Sequence, residues 1–282
     1  MKNCFRLFIV FFLLVSLGAS LVLYWFYIRT APQSLLREEI TITLVEGRTL
    51  GDYGQQFIKN NLVSSNEVWQ NAVGLAAPLD LGNNNYVSAR YLKLFPELLA
   101  DKPKNASLEG YFFPETYRFF KDTSPRRIIE KVLSETEKRL TADLRTEIKR
   151  QHKTIFEILT MASLVEAEGQ SVKDRGLIAD ILWRRLRVGM LLQVDSSVNY
   201  VTGKKDARLS ARDVKLDSGY NTYKYKGLPP GPINNPGFDS IKASVYPTAN
   251  HYWYFISGKD GQMHYARTLD EHNVNIARYL KK

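Results

Sequence analysis

Two carboxylates two positions apart, Glu166 and Glu168, lie at the end of an apolar segment and could do acid–base chemistry. The apolar side chains of residues 154–169 recur at helical spacing, which predicts a helix that begins after Thr154 as its N-cap and stops at Gly169. Positions two apart lie on roughly opposite sides of a helix, so the two carboxylates cannot both serve one cleft. Either one could be a carboxyl beside an apolar wall, where a raised pKa makes a general acid at neutral pH. Geometry alone does not choose between them, and a solvated surface position is the ordinary alternative for each.

A second group of polar side chains follows further along the chain. A helix is predicted over 172–188, and the short extended segment 191–195 after it brings Gln193 and Asp195 back near the helix that carries Glu168. Prolines and glycines in residues 218–237 predict a loop of fixed course. This loop displays side chains suited to hydrogen bonding and stacking on a carbohydrate: Tyr220, Asn221, Tyr223 and Tyr225.

Residues 108–120 combine six aromatic side chains with two carboxylates, Glu109 and Glu115. Such a cluster either builds the edge of a core or lines a sugar cleft, where aromatic faces stack on pyranose rings. Core filling is the default for most of the aromatic residues, and Glu115 remains a candidate for substrate binding.

Several function classes lack their signatures in this sequence. It contains no Walker loop, dinucleotide fingerprint, HExxH motif or nucleophile elbow. The four histidines show no metal-ligand spacing, although His264 and His272 could be ligands in principle. We therefore expect neither a metal nor a cofactor.

The first residues predict a membrane anchor. Residues 7–28 carry no charge and match the length of a bilayer span, with aromatic residues at the far end. A cleavable signal peptide is the alternative, but its apolar core would be shorter. Lys2 and Arg6 place the tail 1–6 in the cytoplasm and the remainder outside. The only cysteine, Cys4, precedes the span, so no disulfide is expected in the exported part.

The net charge of +10 calls for an acidic partner: nucleic acid, anionic lipid or an anionic cell-wall polymer. Export makes nucleic acid the least suitable of these. A generally basic surface without a specific partner stays open as the alternative.

The remaining pattern predicts an α+β protein. A linker over 29–39 precedes a small α/β module, residues 40–105, with a strand at 40–45 and helices at 49–59 and 62–73. The module resembles those that bind glycan chains, and a structural adaptor is an equal alternative. Residues 106–282 follow as a mainly helical domain. Its predicted elements are one or two helices over 124–149, a short helix over 239–246 capped by Asp239, a hairpin of 251–256 with 262–266, and a closing helix over 269–280.

Several long motifs in order resemble one known family. They are Leu44-Val-Glu-Gly-Arg-Thr-Leu-Gly-Asp-Tyr53, Glu109-Gly-Tyr-Phe-Phe-Pro-Glu-Thr116, Met161-Ala-Ser-Leu-Val-Glu-Ala-Glu168, Arg184-Arg-Leu-Arg-Val-Gly-Met-Leu-Leu-Gln-Val-Asp195, Tyr220-Asn-Thr-Tyr223 and Gly227-Leu-Pro-Pro-Gly-Pro-Ile233. With these motifs the sequence resembles the endolytic murein transglycosylases, the YceG-like or MltG family of bacterial inner-membrane peptidoglycan enzymes. The similarity extends over essentially everything from residue 40 onward.

The resemblance implies a LysM-like module at 40–105 and a lysozyme-like catalytic domain at 106–282. It implies that Glu168 is the general acid/base, with Glu166 as a supporting or structural carboxylate. The implied reaction is non-hydrolytic cleavage of the MurNAc–GlcNAc β-1,4 bond of nascent strands to a 1,6-anhydro end, which would terminate strand elongation. Substrate binding is assigned to Gln193, Asp195, Tyr220, Asn221, Tyr223 and Glu115, and the expected partners are peptidoglycan strands, the inner membrane and peptidoglycan synthases such as penicillin-binding proteins.

Three departures from the family pattern stand out. One strand–helix element precedes the catalytic region where family members often have two, Gly169 occupies a position where a hydroxyl residue is common, and Ser196-Ser197 replaces Pro-Thr. Two rival functions remain: a catalytically silent scaffold of the synthesis machinery, and a hydrolytic muramidase in which Asp195 or Glu115 activates water.

Overall fold

We describe the protein from a computed structural model, within which residues 2–30, 37–75, 90–204 and 209–280 are described. The predicted elements on residues 31–36 and 76–89 lie outside this part of the chain. The helices are α1 Lys2–Thr30, α2 Leu50–Lys59, α3 Asn66–Val73, α4 Pro96–Leu99, α5 Pro125–Arg139, α6 Ala142–Arg150, α7 Ile155–Glu168, α8 Val172–Arg187, α9 Asp195–Thr202, α10 Phe238–Val245 and α11 Leu269–Tyr279, with a 3-10 turn at Asp213–Lys215. The strands are β1 Glu39–Thr43, β2 Thr116–Phe120, β3 Tyr254–Ser257 and β4 Met263–Ala266. This is a helix-rich α+β protein, as expected.

Helix α1 contains the predicted membrane span. The side chains of residues 2–14 lie outside the described part, and over the residues that are described no helix reaches the length and apolar character needed to cross a membrane. The membrane anchor stays a prediction.

The described residues form two compact units. The smaller consists of Met1–Ile40 with Phe120–Asp122, and contains an Arg37–Asp122 ion pair. The larger, Thr41–Phe119 with Thr123–Lys282, holds every site residue discussed below. The predicted boundary at residues 105 and 106 falls inside this larger unit.

Helix α7 is the centre of the larger unit, because its eight consecutive residues from Ile158 to Val165 are all buried. All of them except Thr160 and Ser163 are apolar. A capping box begins it: Glu157 N–H donates to the Thr154 hydroxyl (3.1 Å), and the Glu157 carboxylate accepts from the Thr154 N–H (2.8 Å). One core cluster joins α7 to its neighbours: Met161, Leu164 and Val165 from α7, Ile178, Ala179 and Leu182 from α8, then Leu192, Val194, Ile233 and Ala243. Helix α7 is thereby held firmly on several sides.

The aromatic stretch 108–120 fills core. Phe112 lies edge-on to Trp69 at 5.7 Å between ring centroids, and the Trp69 indole N–H donates to the Leu50 carbonyl (2.7 Å). Strand β2, which the pattern of this stretch did not predict, pairs with β1; the Leu44 N–H donates to the Glu115 carbonyl just beyond the strands (3.0 Å). The core-edge interpretation therefore describes Phe112 and the other buried aromatic residues of this segment.

Two local predictions were wrong, and one helix was not predicted. The second helix of the α/β module begins at Asn66 rather than near Leu62, with Ser65 as its N-cap. The short helix predicted at 239–246 begins at Phe238 with Gly237 as N-cap, so Asp239 is not the cap. Helix α9 follows the extended segment directly and was not predicted at all. The hairpin is confirmed, with Tyr254 opposite Ala266 and Ser257 opposite Met263.

Candidate active site

The two glutamates of α7 have different surroundings. The Glu166 side chain is 4 % exposed, and its carboxylate lies 2.9 Å from the Arg175 guanidinium and accepts the Gly237 N–H at 3.0 Å. Its hydrogen bonds therefore join the end of α7 to the start of α10. A carboxylate that is buried and paired with arginine is suited to a structural role rather than to proton transfer.

Gly169 makes room for this ion pair. A Cβ placed there would lie 2.6 Å from Arg175 Cγ and 3.0 Å from the Val165 carbonyl oxygen. Arg175 packs across the backbone at the end of α7, where any larger residue would displace it. The lack of a side chain at Gly169 thus leaves space for the arginine that neutralises Glu166.

Glu168 is the last residue of α7 and has no cationic partner among the described residues. Part of the residue remains accessible, while the neighbouring atoms enclose its carboxyl group. Burial raises the pKa of Glu168 to about 7, and the negative charge of Asp195 adds to the rise. A carboxyl with this pKa can both give and take a proton near neutral pH.

The N-terminus of α9 faces Glu168. The backbone N–H of Ser196, in the first turn, favours the ionised form of Glu168 and limits the rise in its pKa. The Ser196 hydroxyl is buried beside Glu168, and as a donor it too favours the ionised form of Glu168. Helix α9 thus places the backbone N–H and the hydroxyl of Ser196 beside a carboxyl whose pKa is about 7.

Asp195 lies beside Glu168 and is held by Tyr223. The Tyr223 hydroxyl donates a hydrogen bond to the Asp195 carboxylate. Burial raises the pKa of Tyr223, and the charges of Asp195 and Glu168 raise it further. Asp195, Ser196 and Tyr223 therefore form one polar group around Glu168, of which the sequence predicted Asp195 and Tyr223.

Thr222 connects the two segments that supply these residues. Its hydroxyl accepts the Val194 N–H (2.9 Å) and lies 3.0 Å from the Ser197 hydroxyl, while its carbonyl accepts the Gln193 N–H (3.1 Å). Sequence analysis missed both Thr222 and Ser197. Their positions inside the Tyr220–Tyr223 and Ser196-Ser197 motifs were the available signal.

Asn221 and Tyr220 take positions different from those of an exposed sugar-binding pair. Asn221 is fully buried, and its side-chain NH₂ donates to the carbonyls of Val214 (3.0 Å) and Leu216 (2.8 Å). Its side-chain oxygen accepts the Tyr223 N–H (3.1 Å), so Asn221 shapes the loop that presents Tyr223. Tyr220 is half-buried, with its ring centroid 5.1 Å from that of Tyr200.

Gln193 and Glu115 complete the predicted set. Gln193 is exposed and adopts a left-handed backbone conformation with φ of 51°, which is unusual for a residue other than glycine and is typical of functional turns. Glu115 forms a 2.6 Å ion pair with Arg139, and its described contacts include no member of the group around Glu168.

A second buried carboxyl, Glu109, lies in the same unit. It accepts the Leu50 N–H (2.9 Å) and the Asn235 side-chain NH₂ (2.7 Å), and the Tyr200 hydroxyl lies at 3.5 Å. Burial raises the pKa of Glu109 to about 8. With only 2 % of its surface exposed, Glu109 is closed to a polymeric substrate and acts within the core.

Metal chemistry gains no support from the described part of the chain, where no three His, Cys, Asp or Glu side chains are grouped closely enough to hold an ion. His264 lies 3.0 Å from an oxygen of Asp260 and stacks on Tyr279 at 3.5 Å between centroids. His272 stacks on Tyr254 at 5.1 Å. These contacts anchor the hairpin against α11.

The chain is similar in sequence to a known protein family and to curated proteins of two bacteria. A sequence model described as the YceG-like family matches residues 28–278. An endolytic murein transglycosylase of Bacillus subtilis (strain 168) is 38 % identical over 193 residues, 67 % of this chain and 53 % of that protein. The protein of the same name from Streptococcus pneumoniae serotype 2 (strain D39 / NCTC 7466) is 33 % identical over 251 residues, 85 % of this chain and 44 % of that protein.

A solved structure shows the same fold. The crystal structure of a putative yceG-like protein from Listeria monocytogenes superimposes with a TM-score of 0.72 at 31 % identity, covering 83 % of this chain and 75 % of the other. The chain spans about half the length of the two curated relatives, at 53 % and 44 %.

Proposed function

The chain belongs to the YceG-like family, and from this membership together with the surroundings of Glu168 we propose that it is an endolytic lytic transglycosylase of peptidoglycan. The observation that carries the proposal is the Glu168 carboxyl at the end of α7, whose pKa is raised to about 7 beside the Asp195–Tyr223 pair. The two relatives named as endolytic murein transglycosylases support the substrate class.

The proposed reaction needs one acid/base group. Protonated Glu168 gives its proton to the oxygen that leaves when the bond between C1 of MurNAc and GlcNAc breaks. The MurNAc 6-hydroxyl then attacks C1, and its proton returns to Glu168. The products are a 1,6-anhydroMurNAc end and a free 4-hydroxyl on GlcNAc, with no water consumed. A carboxyl with a pKa near the working pH suits both proton transfers.

The neighbouring polar groups have supporting roles in this proposal. Ser196 stabilises Glu168 when it is ionised, and Asp195 stabilises positive charge that develops at C1 in an oxocarbenium-like transition state. Tyr223 holds Asp195 in place through its hydroxyl. Gln193 and Tyr220 are proposed to contact neighbouring sugars, Asn221 to act through the loop it shapes, and Glu115 to bind substrate outside this polar group.

The wider role is also proposed. The segment 7–28 would anchor the chain in the inner membrane with residues 1–6 in the cytoplasm. A LysM-like module at 40–105 and a catalytic domain at 106–282 would then lie outside, where the enzyme cuts nascent strands beside peptidoglycan synthases and ends their elongation. The basic chain, at +10, suits an anionic polymer and an anionic membrane surface.

Mass spectrometry of uncrosslinked glycan strands digested by the full chain tests the reaction. We expect anhydroMurNAc ends from the wild type, and a loss of at least about a hundredfold in Glu168→Gln, in keeping with the contribution of a general acid/base. Glu67→Gln, the same change at an exposed position in α3, is the matched control and should leave the products unchanged.

The alternatives predict different products. Reducing MurNAc ends would overturn the transglycosylase proposal in favour of a muramidase, with Asp195 or Glu115 activating water. If the wild type and Glu168→Gln both bind strands but neither yields a product, the result would favour a scaffold of the synthesis machinery.

A further inference from the structure

A cavity separate from the group around Glu168 opens beside the first half of α7. Its volume is about 810 Å³, within the range of sites that hold small molecules. Its lining comes from α7 (Phe156 and Glu157), from α8 (Trp183 and Arg187) and from the proline-rich loop, residues 218–237, which contributes Leu228. No role in the proposed reaction accounts for this cavity.

The cavity has an apolar floor with two cations beside it. The Trp183 indole is fixed, because its N–H donates to the Ser244 carbonyl (2.9 Å). The Lys153 ammonium lies 3.6 Å from the centre of the Trp183 ring and donates to the side-chain oxygen of Gln151 (2.8 Å). The cation–π contact holds Lys153 at the cavity rather than in solvent.

These cations lack carboxylate partners. Arg187 is exposed and makes no ion pair within the described residues, and the only hydrogen-bond acceptor of Lys153 there is a neutral amide. Burial lowers the pKa of Lys153 to about 8; the charge of Glu157 opposes this fall, that of Arg187 adds to it, and that of Glu147 opposes it. Two like charges brought together beside an apolar cavity favour an anionic ligand.

Glu157 adds a group of opposite charge. One of its carboxylate oxygens caps α7 through the Thr154 N–H and hydroxyl, while the other makes no hydrogen bond within the described part of the chain. The cavity lining therefore carries two cationic side chains without an ion pair among the described residues, Lys153 and Arg187. Of its two carboxylates, Asp180 is paired with Arg184 at 3.1 Å, and Glu157 keeps one oxygen without a hydrogen bond in that part of the chain. This combination suits a short peptide that carries free carboxylates and an amine.

The cavity also has a structural link to the catalytic region. Glu157 lies eleven residues before Glu168, which is three turns and about 16 Å along the same face of α7. The proline-rich loop contributes to both places, since a Cβ at Gly231 would lie 3.4 Å from the Phe156 ring and 3.4 Å from the Tyr220 hydroxyl.

We propose that this cavity binds the acidic peptide branch of a peptidoglycan strand, with Lys153 and Arg187 receiving a peptide carboxylate. The inference rests on the proposed function, because that function supplies a strand with peptide branches. Because Glu157 and Glu168 are about 16 Å apart along α7, a branch bound in the cavity would belong to the strand at Glu168, and the site would select strands that retain their peptides.

Isothermal titration of the full-length Glu168→Gln protein tests this proposal without cleavage. The probes are N-acetylmuramyl pentapeptide and the same compound with its peptide carboxylates amidated. We expect the acidic ligand to bind at least about tenfold more tightly than the amide, since an ion-assisted hydrogen bond contributes about this factor. Lys153→Gln and Arg187→Gln, added singly, should each remove most of that difference, and Lys93→Gln at an exposed site should not.

Three outcomes overturn the inference: equal affinity for the two ligands, affinity for the acidic ligand that neither variant lowers, or no binding of either ligand. Arg187 is exposed, so Arg187→Gln should keep the thermal midpoint of its parent and separate lost binding from lost folding. The two proposals can fail independently of each other. If the cleavage assay yields no anhydro ends, the transglycosylase proposal is wrong, but charge-dependent binding in the titration would still support the peptide site.

Discussion

Glu168 is coupled to Asp195, because the negative charge of Asp195 makes ionisation of Glu168 less favourable. The pKa of Glu168, about 7, depends first on burial, then on the opposing donors of Ser196 and on the charge of Asp195. A general acid must be protonated, so we expect kcat/KM to fall about tenfold per pH unit above about 7.

Removing the Asp195 charge should move the alkaline limb of the pH profile, which is the range above about pH 7 where kcat/KM falls. In Asp195→Asn the pKa of Glu168 loses a contribution that raises it, so the limb should shift to lower pH, toward the ordinary glutamate value. Rates on uncrosslinked strands across pH 5 to 9 would measure the shift.

Tyr223→Phe is the matched control for this shift. It removes the hydroxyl that donates to Asp195 but leaves the Asp195 charge, so its limb should not move to lower pH. An alkaline limb that stays at the same pH in Asp195→Asn would contradict the coupling of the two carboxyls.

Glu109 should make the folded protein less stable at high pH. Its pKa rises on folding from an ordinary value to about 8, so the folded state binds the proton more tightly than the unfolded state. The stabilisation is complete below the unfolded pKa and is lost as pH rises through about 8, at about 1.4 kcal/mol per pH unit in between.

Glu109→Gln should remove this part of the pH dependence. The glutamine oxygen can keep the hydrogen bonds from Leu50 and Asn235, and its NH₂ group can face the Tyr200 hydroxyl. Urea unfolding at pH 5 and pH 9 would measure the free energy of unfolding. Between these pH values the wild type should lose more free energy of unfolding than Glu109→Gln. Identical losses would contradict a raised pKa of Glu109.

At the scale of elements, the end of α7 depends on the ion pair between Glu166 and Arg175. Both side chains are largely buried, at 4 % and 13 % exposure, and Glu166 also accepts the N–H that begins α10. In Arg175→Met, Glu166 would be left as an unpaired buried charge, so we expect a loss of about 3–5 kcal/mol in the free energy of unfolding.

Glu46→Gln provides the comparison for this variant. Glu46 lies 3.5 Å from the same guanidinium but is 50 % exposed, so its loss should cost no more than about 1 kcal/mol. Urea denaturation of the two variants decides the point, and similar losses in both would show that burial does not strengthen the Glu166 pair.

The elements that sequence analysis could and could not predict differ in where their signals lie. Helix α7 was predictable because its cap, its apolar spacing and its glycine stop are all local. Helix α9 has no side-chain N-cap hydrogen bond, and it is positioned by Thr222, 28 residues beyond Val194. Strand β2 exists because β1 pairs with it across the chain, which the aromatic pattern of residues 108–120 does not encode.

The candidate site shows the same division. Helical geometry separated Glu166 from Glu168 but could not show which carboxylate is paired, because that depends on Arg175 and Gly237 reaching Glu166 rather than Glu168. Asn221 looked like a sugar-binding amide from its loop composition. Its hydrogen bonds to Val214 and Leu216 depend on a fold of the loop that composition alone does not determine.

At the scale of the whole larger unit, Asn235 joins segments that are far apart in the sequence. Its side-chain oxygen accepts the N–H groups of Gly110 (2.9 Å) and Phe112 (3.0 Å), and its NH₂ donates to the Arg48 carbonyl (3.0 Å) and to Glu109 (2.7 Å). These bonds tie the predicted glycan-binding module to the region that carries Glu168. We therefore expect the larger unit to unfold in one transition rather than as two domains divided at residue 105.

Asn235→Ala should weaken this connection severely. Four hydrogen bonds of the side chain are lost, so the free energy of unfolding should fall by about 2–6 kcal/mol at 0.5–1.5 kcal/mol per bond. The Arg48 carbonyl keeps the bond from the backbone N–H of residue 235, and Glu109 keeps the bond from the Leu50 N–H. The neighbouring Asn234→Ala removes a single bond, from its NH₂ to the Ser163 carbonyl (2.8 Å), and should cost less. Urea unfolding followed by both tryptophan fluorescence and circular dichroism would show coincident transitions in the wild type. Separate transitions there, or equal losses in the two variants, would mean that the module and the catalytic region are stabilised independently of each other.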